Sequence, residues 1–214
     1  MIYPIWRQQL VRSLHIHRSK PEAKYFQAAS VSNEGLPKLR TMVFRGFLDQ
    51  SNTLLAITDI RSEKIAEWQA SAFSELHWYF VKSREQYRLS CEVTVLCQRQ
   101  GQAGDTVALG KPIQKDVDAN SLYCEQWHGL SQGAKAGFYC PAPKSSLNNV
   151  SEEEGSLSHS FETRNEQEAG ISQYFALVLF APTSIDYLDL KTSPHTRVLH
   201  AMDEPRWTHN KVNP

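Results

Sequence analysis

The chain has 214 residues, a length that suits one domain with an elaborated lobe. Lysine plus arginine and aspartate plus glutamate each number 23, so the formal charge is zero, and 41% of the residues are hydrophobic. An ordinary core can therefore form, while the absence of a global basic field argues against nucleic acid as a partner and leaves anion binding to local placement of charge.

Residues 5–17 set Ile5, Trp6, Gln9, Leu10 and Leu14 near helical spacing and predict an amphipathic first helix. Residues 25–31 and 37–48 read as two strands joined by a turn carrying Asn33 and Gly35. A third strand is expected at 54–58. A helix is expected at 62–69, with Ser62 as its N-cap and Ile65, Ala66 and Trp68 or Gln69 toward the core. Strands follow at 75–81 and 85–98, and residues 114–138 read as mostly helical. Residues 140–160, rich in Pro, Ser, Asn and Glu, read as a long loop. Strands resume at 172–181, 184–190 and 196–202.

Many short strands with hairpin turns and few helices imply a mainly β (α+β) fold, a closed or split antiparallel barrel. One domain spans 1–214, with a helical and loop excursion at about 104–170. The apolar run "YFALVLFAP" at 174–182 is too short to span a membrane, and no apolar core precedes a cleavage-like site near the N-terminus. The four cysteines form no CxxC pair, so free thiols and no metal site are expected. Together these features predict a cytoplasmic protein with no membrane partner.

The chemistry concentrates in "LPKLRTMVFRGF" (36–47) and "ITDIRSEK" (57–64). Guanidinium groups bind phosphate bidentately and keep their charge when desolvated. A strand ending at a helix that begins with Ser and carries Lys in its first turn offers backbone N–H groups, a hydroxyl and a positive charge to the same anion. Arg40, Thr58, Ser62 and Lys64 are thus the candidate phosphate cradle. The alternative is a solvated edge arginine beside a plain helix cap. No glycine-rich nucleotide loop and no nucleophile with a recognisable base is present.

"RTMVFRG", "TDIRSEK", "ELHWYF" and "REQYRLSCEV", in this order and spacing, resemble the FMN-binding split-barrel family typified by pyridoxamine 5′-phosphate oxidase. The resemblance runs from about residue 20 to 98 and continues more loosely through 125–143 and the C-terminal strands. It implies an FMN cofactor, with Arg40, Ser62 and Lys64 on the phosphate and Thr58 at the end of the adjacent strand. The backbone of Thr41, Met42 and Val43 would lie along the flavin ring, and Gln86 would reach the flavin with Arg88 beside it on the same strand face. It further implies a homodimer with FMN at the interface, and a small-molecule substrate met by Arg45 and Arg197. Arg40 and Arg45, five residues apart, should point to opposite faces of a regular strand. The sequence departs from the family near its C-terminus: "TRVLH" (196–200) stands where an Arg-x-His-Asp-Arg segment is expected, and Cys91 stands where glycine is usual. The expected function is an FMN-dependent oxidoreductase of this type. The alternatives are an FMN- or haem-binding storage module on the same fold and a dimeric interaction protein.

Overall fold

A computed structural model describes residues 3–99, 105–113, 116–146, 170–203 and 206–214. Ten strands form one antiparallel sheet: β1 (Tyr25–Val31), β2 (Pro37–Val43), β3 (Gly46–Phe47), β4 (Leu54–Asp59), β5 (Phe73–Phe80), β6 (Glu85–Gln98), β7 (Thr106–Gly110), β8 (Phe175–Asp189), β9 (Thr196–Asp203) and β10 (Arg206–Val212). The helices are α1 (Ile5–Ile16), α2 (Glu63–Ala70), α3 (Ala119–His128) and α4 (Gln132–Ala136). The strand order is β10-β9-β8-β6-β5-β1-β2, with β4 on β8, β3 on β4 and β7 on β6.

The sheet does not close. The stretch expected as one strand at 37–48 splits in two. Phe44 N still donates to Lys24 O beside β1, whereas Arg45 N donates to Leu55 O of β4. Gly46 follows at φ +138°, a conformation that glycine adopts without the Cβ penalty. One chain segment therefore leaves one half of the sheet and joins the other, and the barrel is split at that bend.

Both faces of the central strands are buried. Val178, Phe180 and Ala56 pack with Phe26, Trp68, Trp78 and Tyr87 in one core. Leu177, Leu179 and Leu55 pack with Tyr123, Trp127, Phe138 and Phe175 beneath α3 and α4. This explains the "YFALVLFAP" run, because a strand covered on both sides has no polar face to alternate. No helix among the described residues is long and apolar enough to cross a membrane. All four cysteines are free.

Several boundaries differ from expectation. The strands expected at 172–181 and 184–190 form one strand, β8. Cys91 pairs with Pro182 and Ser90 with Ser184, so Thr183 is the extra residue of a bulge. A bulge accommodates a proline within a central strand, whereas sequence reading takes proline as a break. Strand β7 falls inside the expected excursion. Strand β10, which is mostly exposed, gives no alternating apolar signal, although Trp207 packs edge-on against Trp6 with ring centroids 5.2 Å apart. Most of the loop expected at 140–160 lies outside the described residues.

Candidate functional site

The bend at 44–45 leaves two sheet edges without ladder partners among the described residues. There, strand β2 pairs only with β1, and residues 56–59 of β4 pair only with β8. The two edges lie near each other without forming a ladder. Their backbone N–H and C=O groups therefore face the gap and require other partners. Arg40 sits on one side of this cleft. Thr58 and the start of α2 sit on the other.

At the start of α2, Lys64 Nζ donates to Thr58 Oγ1 at 3.0 Å and to Ser62 Oγ at 2.5 Å. Burial, and next the nearby Arg40 charge, push the Lys64 ammonium down to about 8. No carboxylate among the described residues lies at ion-pair distance from it, and its third N–H has no acceptor there. Ser62 occupies the N-cap position as expected, but its hydroxyl makes no capping hydrogen bond. That oxygen is turned to Lys64, so the first N–H groups of α2 are left open. The buried face of α2 is Ile65, Glu67 and Trp68, with Ala66 and Gln69 exposed.

Arg40 is oriented from below. Its Nη2 meets Glu67 Oε2 at 2.7 Å, and its Nη1 donates to Ser30 Oγ, which in turn donates to Glu67. Glu67 is buried, and a charged residue between Ile65 and Trp68 on the core side of the helix was the available signal for it. The arrangement fixes the guanidinium and leaves Nε without a partner among the described residues. Arg40, Thr58, Ser62 and Lys64 are thus brought together on the two banks of one cleft. Thr41, Met42 and Val43 line its β2 edge, Met42 buried, Thr41 exposed and Val43 half-buried. Arg45 is exposed at the bend, with the side-chain parity of Thr41 and Val43 rather than of Arg40.

Gln86, Arg88 and Arg197 lie elsewhere within the same chain. Thr41, Gln27, His77 and Arg88 occupy one cross-strand row over β2, β1, β5 and β6. Three strand spacings put Arg88 roughly 14 Å from β2. Arg88 and Arg197 both converge on Asp186, with Arg197 bidentate at 2.9 and 2.6 Å. Hydrogen bonds from Arg197 chiefly hold the Asp186 carboxyl below its usual range, and Arg88 reinforces them against burial. Asp186, which ties up both arginines, carried no motif signal.

Residues 3–97 match the family described as pyridoxamine 5′-phosphate oxidase, FMN-binding domain. A protein of Arabidopsis thaliana named pyridoxine/pyridoxamine 5′-phosphate oxidase 2 is 29% identical over 212 residues, covering 98% of this chain and 96% of that protein. The crystal structure of a pyridoxamine 5′-phosphate oxidase-related, FMN-binding protein from Nostoc punctiforme is 31% identical and superposes with a TM-score of 0.82, covering 100% of both chains. PhzG from Burkholderia lata, solved with tetrahydrophenazine-1-carboxylic acid, shares the fold at 15% identity and a TM-score of 0.74, covering 100% of this chain and 98% of that one. The split sheet, the ordered motifs and the full-length likeness agree: the chain belongs to the pyridoxamine 5′-phosphate oxidase-like FMN-binding split-barrel family.

Proposed function

We propose that this protein binds FMN in the cleft between β2 and β4 and is an oxidoreductase acting on a small anionic molecule as a homodimer. The observation that carries the reading is Lys64: a desolvated ammonium held by two hydroxyls, beside Arg40, with no carboxylate partner among the described residues. A positive charge taken out of water without a counter-ion is costly, and a phosphate would supply that counter-ion. Arg40, Ser62 and Lys64 would hold the flavin phosphate, with Thr58 adding its hydroxyl. The unpaired backbone groups along Thr41, Met42 and Val43 fit the polar rim of a flavin ring. Bound FMN supplies the hydride acceptor or donor, and the chain orients the ring and tunes it through those hydrogen bonds.

The dimer reading rests on the outer face of β1, β2, β5 and β9. Tyr25, Leu39, Phe73, Tyr79 and Leu199 are exposed there, around the polar row from Gln27 to Asp186. Apolar residues gathered on one sheet face mark an interaction surface. A second copy on that face would bring Gln86 and Arg88 toward a cleft that they do not reach in their own chain. Arg45 would then meet the substrate anion. The engagement of Arg197 with Asp186 favours a second reading, an FMN-binding module without turnover, because a substrate would have to displace that bidentate pair.

The test is the visible spectrum of the purified protein, with an FMN titration of the flavin-stripped chain. Flavin bands, and saturation at one FMN per chain, are expected. A colourless protein that ignores FMN would overturn the cofactor assignment. Bound flavin that no amine substrate or reductant can cycle would favour the module.

A further inference from the structure

Glu63, the first residue of α2, sets a carboxylate at the rim of the cleft. An acid in a first turn favours the helix, which is its ordinary role. Here it also stands beside the group proposed to receive a phosphate, where an uncompensated negative charge would oppose the ligand. Its compensation comes from 81 residues away: Lys144 Nζ meets Glu63 Oε2 at 2.5 Å. The hydrogen bond and charge of Lys144 chiefly hold the Glu63 carboxyl below its usual range, with Lys38 and Arg40 adding to them. Both side chains are largely exposed, so the pair adds little to stability. Even so, Lys144 is held at φ +66°, a region that residues with a Cβ seldom occupy. The same segment is tied to the helix start a second time, by Arg61 Nη2 donating to Cys140 O at 3.0 Å.

The charges around the cleft can be counted. Among the described residues, Lys38, Arg40, Lys64 and Lys144 face Glu63 and Glu67, and one further neighbour, Asp59, is cancelled by Arg61 at 2.6 Å. Four cations against two carboxylates leave two positive charges. A phosphate monoester carries about 1.5 to 2 negative charges at neutral pH. Without Lys144 only one positive charge would remain.

We infer that Lys144 is a charge-setting residue of the cofactor site. It acts by cancelling Glu63, whose carboxylate would otherwise oppose a phosphate, and so preserves the protein's preference for a phosphorylated flavin over its unphosphorylated parent. This rests on the FMN reading, and riboflavin separates the two, because it has the ring and lacks the phosphate. Dissociation constants for FMN and riboflavin would be measured by flavin fluorescence on the full chain, for wild type, Lys144→Ala, Glu63→Gln and the double variant. Lys144→Ala is expected to weaken FMN about three- to tenfold and leave riboflavin unchanged, the modest size reflecting solvent screening. Glu63→Gln should tighten FMN and shrink the Lys144→Ala effect. Equal losses for FMN and riboflavin would overturn the inference, since Lys144 would then only hold the segment in place. An FMN loss of the same size with and without Glu63 would also overturn it, as would no loss at all. A wild type that binds neither flavin would sink the cofactor reading itself.

Discussion

Two ionic clusters in this molecule are built from the same kinds of residue and end in opposite states. Glu85, at 2% exposure, accepts from Arg12 Nη2 at 2.7 Å, from Ser13 Oγ at 2.8 Å and from Tyr187 OH at 2.8 Å. Tyr87 OH in turn reaches Ser13 Oγ at 3.0 Å. Burial drives the Glu85 carboxyl up, but the nearby hydroxyls of Ser83, Ser13 and Tyr187 and the Arg12 charge win and hold it below its usual range. The cluster pins α1 to β6 and β8 and is complete. Around Lys64 burial wins instead, and the ammonium is pushed down to about 8, with a donor to spare among the described residues. A buried charge whose partners all come from its own chain is structure. A buried charge left in deficit is a place for something else.

That contrast breaks if the two clusters respond alike to mutation. Glu85→Ala should cost the most, about 3 kcal/mol, because it strands the Tyr187 hydroxyl in the core and removes the acceptor that ties α1 to β6 and β8. Denaturant unfolding would measure it, and the folded fraction should still bind FMN. Lys64→Met should do the reverse. FMN affinity is expected to fall roughly tenfold to a hundredfold, the worth of a charged hydrogen bond at about 1.5–3 kcal/mol. The flavin-free protein should melt no lower than wild type, because a desolvated ammonium has gone. A Lys64→Met protein that loses stability and keeps its flavin would reverse the assignment of the two clusters.

The pH dependence sharpens the same point. Lys64 titrates near 8 in the fold, against 10.5 for an ordinary lysine. Between those values the unfolded chain binds more protons, so the stability of the flavin-free protein relative to Lys64→Met should rise with pH. A bound phosphate draws the proton back onto Lys64, so FMN affinity should fall as pH rises above about 8. The two curves therefore run in opposite directions over one window. FMN affinity in wild type that stays level across that window while Lys64→Met behaves identically would remove Lys64 from the phosphate site.

Much of this arrangement was legible in the sequence because it is local. Strand β6 came out with its observed bounds because inward and outward residues alternate along most of it. Thr58, Ser62 and Lys64 stood out because a strand end and a helix start are adjacent in the chain, and Arg40 because a strand that only fills a core does not need an arginine. What decides how those residues are charged was not legible. Glu67 reaches Arg40 across 27 positions, Lys144 reaches Glu63 across 81, and Asp186 joins Arg88 from a strand 98 positions away. Such pairings depend on how distant elements pack, and even within the sheet a bulge such as that at Thr183 shifts register with no mark in the composition. Proline at 182 misled for the same reason, since it breaks a regular ladder but not a bulged one.

Ser62 gives the smallest expected effect and the most discriminating one. At a helix N-cap, Ser→Ala ordinarily costs about 1 kcal/mol, because the hydroxyl accepts from an early backbone N–H. Here the hydroxyl makes no such bond and accepts from Lys64 instead. Ser62→Ala should therefore change stability by less than about 0.5 kcal/mol, since the backbone groups of α2 lose nothing that they held. FMN affinity should still drop, roughly three- to tenfold, through the lost hydroxyl and the looser Lys64 ammonium. A full capping cost with unchanged flavin binding would mean that the helix start at 62 is only a helix start, and that the deficit at Lys64 belongs to the fold rather than to a ligand.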